Sequence, residues 1–390
     1  MELCTVAPGF NQHGGVPYVA RNIVVELTRR GIDCTVVTDP SQDADVSPQL
    51  PDSVETYTVP KPGLPFPLDV GAFAARATPV VETLHRRHNF DVVHVHGNYV
   101  VLPIVAKQLG VLDAPVIETA HGTYVNEIRS FREYPSFSQK WKYCTGVYLD
   151  HLIQKYGSRF VDFIHTVAER SKPELESMGL DGDDIVVVPN GVNLGEFDDE
   201  TVSGDLRSRY GLEDADLAVS VGNTVPRKGV HTLIEAAEYI RDRNPDAHLV
   251  HVGGHSHEGY AAYLHERMAE LGVEDTVTLT GRVPREELLG WLETCNVAVS
   301  ASYSEGCPIS ILEAGASSCT VVATDVGGSR DVLGELGIYV EPADPQSVAD
   351  GILTGFERDS GAEIRYRIEE QFTWDRIVDD IHEKFQIWLE

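Results

Sequence analysis

Short runs of valine, isoleucine and alanine alternate along the chain with stretches in which apolar residues recur every three or four positions. Fully apolar runs of strand length are typical of buried parallel strands, and the longer period is typical of the amphipathic helices that cover them. In the first half, a helix is predicted over 18–30, ending at Gly31. The predicted strands of this half are residues 3–7, 35–38, 92–96, 116–119 and 163–167.

The same alternation starts again at residue 217, with helices predicted over 231–241, 284–295 and 374–388. Strands that alternate with helices predict parallel sheets covered on both faces. We therefore expect two doubly wound α/β domains of the Rossmann-like kind. The predicted strands of this half are residues 217–222, 248–253, 276–280, 297–301, 320–324 and 338–340.

A polar, acidic stretch without a predicted strand separates the two series just after Gly191. A chain of 390 residues is long enough for two hydrophobic cores. We expect domains at 1–192 and 193–373, with a C-terminal helix at about 374–390 that packs back on the first. Ligands of open α/β sheets lie beyond the carboxyl ends of the strands, so a ligand cleft is expected between the two domains.

Acidic residues outnumber basic residues by 61 to 31, which gives a formal net charge of −30. Such a charge argues against a nucleic-acid partner. Only eight of the basic residues are lysine. Molar salt shortens the screening length to about 3 Å, so this surface suits a salt-rich cytoplasm and predicts a halophilic archaeal source. An acidic enzyme from a mesophile is the alternative.

The six cysteines form no C-x-x-C pair, so free thiols in a reducing compartment are expected rather than disulfides or a structural zinc. No run approaches the ~18 apolar residues of a membrane span, and no signal peptide is expected. These features predict a cytoplasmic protein.

The first strand-end loop carries Gly14 and Gly15 but neither a Walker A sequence nor G-x-G-x-x-G, which argues against nucleotide hydrolysis and NAD binding.

One segment after a predicted strand combines two glutamates with the start of a helix. Glu305 lies just before that helix, of which Pro308 is the predicted first residue, and Glu313 lies in its second turn. Free backbone N–H groups at Gly306 and Cys307 suit a phosphate, whereas ionised carboxylates accept hydrogen bonds from sugar hydroxyls. The alternative is that Glu313 is a solvated helix residue.

A second loop, at the carboxyl end of the strand 217–222, carries Arg227 and Lys228. Two cations there can neutralise a pyrophosphate, the lysine as a point charge and the arginine as a fork. Adjacent side chains often diverge, so one of the two is expected to be an ordinary surface residue.

Histidines collect at strand ends, with His94 and His96 on one predicted strand and His121 after the next. Alternate positions put His94 and His96 on one face, but no third zinc ligand follows at motif spacing. A packed or substrate-facing pair is therefore favoured over a zinc site. Two D-x-D triplets, at 43–45 and 214–216, are interpreted as solvated surface rather than as a metal–nucleotide site.

Residues 129–160 reverse the overall charge, with six basic residues against two acidic ones and aromatic residues among them. This combination suits a peripheral contact with an anionic membrane or a lipid-phosphate acceptor. A partly buried helix whose aromatic residues belong to the core is the alternative.

Taken in order along the chain, these motifs resemble those of the retaining glycosyltransferases of family 4. The resemblance implies the GT-B fold, in which two Rossmann-like domains face a central cleft, the first binding the acceptor and the second the nucleotide sugar. The matching segments are Gly14-Gly15, Asp91-Val92-Val93-His94-Val95-His96, Thr119-Ala120-His121-Gly122, Val188-Pro189-Asn190-Gly191-Val192, Lys228-Gly229, the segment from Glu305 to Glu313, and Asp325-Val326-Gly327-Gly328.

By position, the resemblance implies catalytic roles for Glu305 beside the donor sugar, His121 near the transferred sugar and Lys228 on the pyrophosphate. It also implies that Glu313 holds the nucleotide ribose. The family usually has an arginine where this chain has Asn223, so half of the cationic phosphate clamp is missing from its usual place unless Arg227 replaces it. The other donor-binding residues implied are Gly14, Gly15, Arg227, Gly306, Cys307, Pro308, Ile309 and Ser310, and those on the acceptor side are His96, Gly122 and Arg129.

The implied function is transfer of a hexose from a nucleotide diphosphate sugar to a glycan, a lipid-linked acceptor or another hydroxyl, with retention of the anomeric configuration. No metal or other cofactor is expected. A lipid-linked acceptor would bring the cytoplasmic enzyme to the inner face of the cell membrane. The alternatives are a nucleotide-sugar epimerase with the GT-B fold, which needs no acceptor, and a catalytically idle binding or scaffold protein.

Overall fold

A computed structural model of the chain describes residues 1–10, 15–39, 50–60, 68–97, 112–125, 128, 148, 151–198, 206–254 and 258–389. These residues form two compact units. The first draws on Met1–Ile128, Trp141–Gly191 and Trp374–Glu390, and the second on Val192–Thr373. That the first unit binds the acceptor and the second the nucleotide sugar stays a prediction.

The first unit contains a parallel sheet with seven strands in the described residues. They are β1 (Glu2–Ala7), β2 (Asp33–Thr38), β3 (Glu55–Thr58), β4 (Val92–His96), β5 (Val116–Ala120), β6 (Phe163–Thr166) and β7 (Ile185–Val187). Their order across the sheet is β3-β2-β1-β4-β5-β6-β7, and all neighbours are parallel.

The edge strands β3 and β7 have no counterpart among the predicted strands. The side chains of β3 are mostly exposed, and β7 spans only three residues. A strand at the solvent-exposed edge of a sheet needs no continuous apolar run, so its sequence carries little strand signal. The five inner strands begin and end within two residues of their predicted bounds.

The second unit contains a parallel sheet with six strands in the described residues. They are β8 (Asp216–Val221), β9 (Ala247–Val252), β10 (Val277–Gly281), β11 (Val297–Ser300), β12 (Thr320–Thr324) and β13 (Ile338–Val340). Their order is β10-β9-β8-β11-β12-β13. Each was predicted to within one residue at either end, and the prediction of two doubly wound α/β domains is confirmed.

Helices connect the strands of both sheets. No helix in the described ranges combines the length and the apolar character that crossing a membrane requires. In the first unit the α-helices whose two ends lie in the described residues are Val16–Arg29, Leu68–His88, Ser171–Ser177 and Trp374–Leu389; residues 151–157 are also helical. In the second they are Leu206–Tyr210, Val230–Arg241, Glu258–Leu271, Arg285–Thr294, Ile309–Ala316, Ser329–Leu333, Pro345–Glu357 and Gly361–Gln371.

The C-terminal helix Trp374–Leu389 packs on the helix Val16–Arg29 of the first unit. Arg30 binds Asp379 from Nε over 2.7 Å and Asp375 from NH2 over 3.1 Å. Both aspartates are well exposed, so each ion pair adds at most about 1 kcal/mol, and burial of the helix's apolar face contributes most of the stabilisation. That buried face consists of Trp374, Ile377, Val378, Ile381 and Phe385.

In each sheet the strand order reverses once, between β1 and β4 in the first and between β8 and β11 in the second. Ligands of open α/β sheets bind outside the carboxyl ends of the strands at such a reversal. Because β8 and β11 are parallel neighbours, the loops that follow them lie at the same edge of the sheet. These two loops hold Lys228 and Glu305.

Candidate functional site

Glu305 lies in the loop after β11, and its side chain is only 7% exposed. Lys228 donates from Nζ to Oε1 over 2.6 Å, and Arg227 donates from NH1 to Oε2 over 3.1 Å. Ser302 donates its hydroxyl to Oε1 over 2.7 Å. Burial alone would raise the pKa of the Glu305 carboxyl, but the two cations and the hydrogen bonds lower it to about 2. Glu305 is therefore a buried carboxylate at neutral pH.

A close approach of two loops places both cations on Glu305. Arg227 and Lys228 lie in a short 3-10 turn that ends at Gly229. The φ of Gly229 is 64°, and a β-carbon there would overlap the carbonyl oxygen of Ala301, so the approach requires glycine. The prediction that one of the two cations is an ordinary surface residue is wrong. The two loops lie so close together that the adjacent side chains Arg227 and Lys228 each reach one oxygen of the Glu305 carboxylate.

A two-glycine turn after β12 holds the Glu305 loop from another side. The backbone N–H of Gly328 donates to the carbonyl oxygen of Gly306 over 2.6 Å. Gly327 has a φ of 53°, and a β-carbon there would overlap the carbonyl oxygens of Glu305 and Gly306. The loop is therefore in backbone contact with this turn, which leaves no room for a larger residue at position 327.

The helix after this loop begins at Ile309, one residue later than predicted. Pro308 precedes it in an extended conformation, with φ −73° and ψ 111°. The N–H groups of Ile311 and Leu312 donate to the carbonyl oxygen of Pro308 over 3.1 and 3.3 Å. Those of Ile309 and Ser310 have no acceptor within the helix, and this end carries a partial positive charge. The side chains of Cys307 and Pro308 are buried, whereas Ile309 and Ser310 are partly exposed. An anion at this end would therefore meet backbone N–H groups rather than the Cys307 thiol.

Glu313 lies in a second ion-pair group, and its side chain is 6% exposed. Arg285 donates from NH1 to Oε1 of Glu313 over 2.5 Å. The other edge of the same guanidinium binds Oε2 of Glu196, from Nε over 3.1 Å and from NH2 over 2.9 Å. Burial raises the pKa of Glu313 above its ordinary value, and Arg285 opposes the rise. The alternative of a solvated Glu313 is wrong, because this face of the helix turns into the unit.

The positive charge of Lys228 links the two glutamates, since it lowers the pKa of both Glu305 and Glu313. The structure thus brings Arg227, Lys228, Glu305 and Glu313 into one electrostatic group in the second unit. Asn223 is exposed beyond the end of β8, and the replacement of the usual arginine by Arg227 stays a prediction.

Three residues that adjoin this group were missed by the sequence analysis: Ser302, which binds Glu305, Arg285, which binds Glu313, and Glu196, which binds Arg285. Arg285 is the first residue of the helix Arg285–Thr294 and belongs to none of the motifs. Its partners Glu313 and Glu196 are 28 and 89 positions away along the chain. No local pattern connects such distant residues, so only the folded structure reveals the group.

In the first unit, His96 and His121 lie together after β4 and β5. Nδ1 of His96 is 3.1 Å from Nε2 of His121, and the two rings are stacked. Burial lowers the pKa of His121 to about 3 and that of His96 well below its ordinary value. Both rings are therefore neutral at pH 7 and share one proton in this hydrogen bond.

His94 belongs to a buried chain of hydrogen bonds. The carbonyl oxygen of Val188 only accepts, so His165 donates from Nε2, over 2.8 Å. Nδ1 of His165 then accepts from the Thr119 hydroxyl over 3.1 Å, and Thr119 accepts from Nε2 of His94 over 2.6 Å. His94 is thus a packed core histidine. Among the described side chains, no group of three or more His, Cys, Asp or Glu residues is placed to hold a metal ion.

Of the remaining predicted residues, Gly15 and Gly122 lie in the described part of the chain. Gly15, with a φ of 77°, directly precedes the helix Val16–Arg29, and Gly122 has a φ of 146°. Gly14, Arg129 and the D-x-D triplet at 43–45 lie outside the described residues. Their predicted roles stay predictions.

The sequence matches two family models. Residues 204–371 match the model described as Glycosyl transferases group 1, and residues 13–196 match the model described as Glycosyltransferase Family 4. A D-inositol 3-phosphate glycosyltransferase from Geodermatophilus obscurus is 30% identical over 408 residues, which cover 96% of this chain and 85% of the relative.

Two solved structures are similar over nearly their whole length. Sucrose-phosphate synthase from Thermosynechococcus elongatus superimposes with a TM-score of 0.79 at 19% identity, covering 99% of this chain and 98% of the other. HepE from Anabaena, in complex with UDP and glucose, gives a TM-score of 0.75 at 17% identity, covering 98% and 99%. These likenesses confirm the predicted GT-B fold class. Together with the family models and the sequence relative, they show that the chain belongs to the group 1 glycosyltransferases, in the family 4-like superfamily that has the GT-B fold.

Proposed function

We propose that this glycosyltransferase moves a hexose from a nucleotide diphosphate sugar to a hydroxyl acceptor, with retention of the anomeric configuration. The observation that carries the proposal is the placement of two cations and the buried Glu305 on two neighbouring loops of the second unit, with the helix that follows supplying an N-terminus and the buried Glu313. A diphosphate requires positive charge and N–H donors, whereas ribose and sugar hydroxyls require acceptors. The UDP and glucose bound by HepE belong to the same class of ligand.

In the proposed reaction, the bond between the anomeric carbon and the diphosphate oxygen breaks, and a bond from that carbon to the acceptor oxygen forms on the same face of the sugar. The electron pair of the broken bond stays on the diphosphate. The proton of the acceptor hydroxyl passes to a diphosphate oxygen. Because the leaving group takes this proton, the reaction needs no side chain as nucleophile or base.

Lys228 and Arg227 are proposed to stabilise the negative charge that develops on the departing diphosphate. Both already lie against the ionised Glu305, so their positions are set before the donor arrives. Charges held in place in this way do not have to be reoriented during the reaction, which is the main source of electrostatic catalysis. The N–H groups at the start of the helix Ile309–Ala316 add to this charge. We therefore propose that transfer proceeds without a metal ion.

His121 is proposed to contact the transferred sugar. His96, which is hydrogen-bonded to His121, is proposed to lie on the acceptor side. With a pKa of about 3, His121 stays neutral over the physiological pH range. It can therefore exchange hydrogen bonds with sugar hydroxyls without adding a charge that would compete for the diphosphate.

The purified protein is expected to release a free nucleoside diphosphate from one member of a panel of UDP-, GDP- and ADP-sugars when an acceptor is present. The assay is run in molar KCl, because the net charge of −30 indicates a salt-adapted surface. Glu313→Gln is expected to lower kcat/KM for the donor about tenfold to a hundredfold, since it removes a charged acceptor of hydrogen bonds. Diphosphate release and the NMR coupling of the product's anomeric proton are the measurements.

The matched control is Glu369→Gln, which neutralises a paired glutamate on the helix Gly361–Gln371 and is expected to leave the reaction unchanged. Interconversion of nucleotide sugars without diphosphate release would identify an epimerase instead. Binding and turnover of no donor would indicate an idle scaffold. A product of inverted configuration would refute retention.

An exposed apolar stripe in the first unit supports a lipid-linked acceptor as the finer proposal. Lys155 and Arg159 lie beside this stripe, with Nζ and Cζ 5.8 and 5.6 Å from the Tyr156 ring. The alternative, in which the aromatic residues of this segment belong to the core, is wrong for Tyr148 and Tyr156, because both are exposed. Residues 129–147 lie outside the described part of the chain. The stripe consists of four exposed residues spaced four apart, Tyr148, Leu152, Tyr156 and Phe160.

The protein is expected to bind vesicles that contain anionic lipid at about 0.15 M salt, where the screening length is about 8 Å, and to bind neutral vesicles much less. The double variant Tyr156→Ser, Lys155→Glu is expected to lose most of this binding in a flotation assay, because it removes both the apolar and the cationic contact. Tyr366→Ser, at an exposed tyrosine of the second unit, is the control. Unchanged binding by the double variant would exclude this surface.

A further inference from the structure

Arg285 joins two carboxylates that come from different parts of the second unit. Glu313 lies on the helix after the Glu305 loop, and Glu196 lies in the 3-10 turn Leu194–Glu196. The guanidinium meets Glu313 with NH1 and Glu196 with Nε and NH2. The ring of Phe197 lies 5.9 Å from its Cζ. A planar fork bound on two edges is held in one orientation, which a lysine could not reproduce.

The two carboxylate oxygens of Glu313 differ in their contacts. Oε1 accepts from Arg285, and the described residues supply no partner to Oε2. A carboxylate oxygen that is held in place but not used by the protein is an acceptor for a ligand hydroxyl. Arg285 is also shared between Glu313 and Glu196, so its positive charge is not used up by Glu313 alone and leaves this carboxylate able to accept a further hydrogen bond.

Without Arg285, this carboxylate would be a poor acceptor. The Glu313 side chain is almost fully buried, and Glu196 adds a second negative charge nearby. Both effects favour the protonated form, in which one oxygen becomes a donor. The neighbouring cation offsets them, and its hydrogen bond also fixes the rotamer of the glutamate.

We propose that Arg285 is a positioning residue that keeps Glu313 ionised and directs its free oxygen at the ribose hydroxyls of the donor nucleotide. The proposal rests on the proposed function, because it takes the ribose as the ligand of Glu313. Arg285 itself touches neither the ribose nor the phosphates in this scheme. Its effect is therefore on how strongly the site distinguishes a nucleotide with ribose hydroxyls from one without them.

The experiment compares the Kd of UDP, GDP and ADP with the Kd of their 2′-deoxy and 3′-deoxy forms by titration calorimetry in molar KCl. The wild-type protein is expected to bind one parent nucleotide about tenfold to a hundredfold more tightly than a deoxy form, the usual effect of a hydrogen bond to a charged group. Glu313→Gln and Arg285→Met are both expected to reduce this ratio below about threefold. Arg285→Lys is expected to give an intermediate ratio, because it keeps the charge but not the fork.

The control is Arg267→Met, which removes from the helix Glu258–Leu271 a guanidinium that binds Glu235 of the helix Val230–Arg241. It is expected to keep the wild-type ratio. In steady-state assays, Arg285→Met is expected to raise the donor KM about tenfold while kcat changes less than about threefold, since ribose binding is the same in ground and transition states. A purely structural role would lower kcat and thermal stability without moving the ratio.

The outcomes separate this inference from the function on which it rests. If Glu313→Gln loses the discrimination and Arg285→Met keeps it, the role of Arg285 is overturned and that of Glu313 stands. If Glu313→Gln keeps it, or none of the three nucleotides binds, the proposed ligand of Glu313 is wrong and the inference fails with it. Should Arg285→Met not fold, Arg285→Lys decides, and an unchanged ratio there overturns the proposal.

Discussion

Replacing Lys228 with methionine is expected to lower kcat about 10²–10³-fold, the usual cost of removing one fixed group that stabilises developing charge. Lys228 is only 17% exposed and binds Oε1 of Glu305 over 2.6 Å. Water could take the place of the lost ammonium only if the Glu305 loop became more exposed. Arg227 remains on Oε2 and keeps some positive charge at the site. The measurement is diphosphate release at saturating donor.

The same substitution is expected to lower the free energy of unfolding by about 2 kcal/mol. Breaking a buried ion pair from one side costs roughly 3–5 kcal/mol, and here Arg227 and Ser302 still bind the glutamate. The triple variant Arg227→Met, Lys228→Met, Glu305→Gln removes all three charges of this group and so leaves none of them unpaired. It is therefore expected to recover stability in a denaturant titration but not activity. This separates the catalytic loss from the structural one.

Lys172→Met is the matched control, since Lys172 donates to the carbonyl oxygen of Ile185 in the first unit, outside the proposed site. It is expected to keep full turnover. If the triple variant regained activity along with stability, the cations at positions 227 and 228 would be structural only, and the diphosphate would have to be stabilised by other groups.

Gly327→Ala is expected to cost about 2–4 kcal/mol of stability and to lower turnover about 10²-fold. An alanine at a φ of 53° is strained by about 1 kcal/mol, and its β-carbon would overlap the carbonyl oxygens of Glu305 and Gly306. The overlap is relieved only by moving the Glu305 loop, and a displacement of about 1 Å near reacting groups costs on the order of 10²-fold in rate. Denaturant titration and diphosphate release measure the two effects.

Gly211→Ala tests the contribution of backbone strain alone. Gly211 has a similar φ of 66°, and a β-carbon there would meet nothing within 4 Å. We expect a loss of about 1 kcal/mol and unchanged turnover. Equal losses of activity in the two variants would show that contact with the Glu305 loop is not what position 327 contributes.

The strands of the second sheet could be predicted to within one residue because all six are short runs rich in valine, leucine, isoleucine or threonine that stand between clear helical periods. The edge strand β3 could not, since its sequence Glu-Thr-Tyr-Thr is polar enough to face solvent. Its place in the sheet follows from pairing with β2, which is a long-range property.

Some residues of the candidate site could also be predicted from the sequence, and others could not. Glu305, Lys228 and Glu313 could be predicted because each belongs to a motif at a strand end. Arg285 could not, because its partners are brought to it only by the fold. The predicted divergence of Arg227 and Lys228 failed for a related reason, since the closeness of their loop to Ala301 depends on a missing β-carbon at Gly229.

The loop that carries Glu305 is bounded on two sides by glycines, with the carbonyl oxygen of Ala301 against Gly229 and that of Glu305 against Gly327. Its position is thus set by backbone in contact with backbone, and changes to surrounding side chains have little leverage on it. For directed evolution of donor preference, a library should keep positions 229 and 327 constant. Randomising positions 196 and 285 would vary the surroundings of Glu313 while leaving this loop in place.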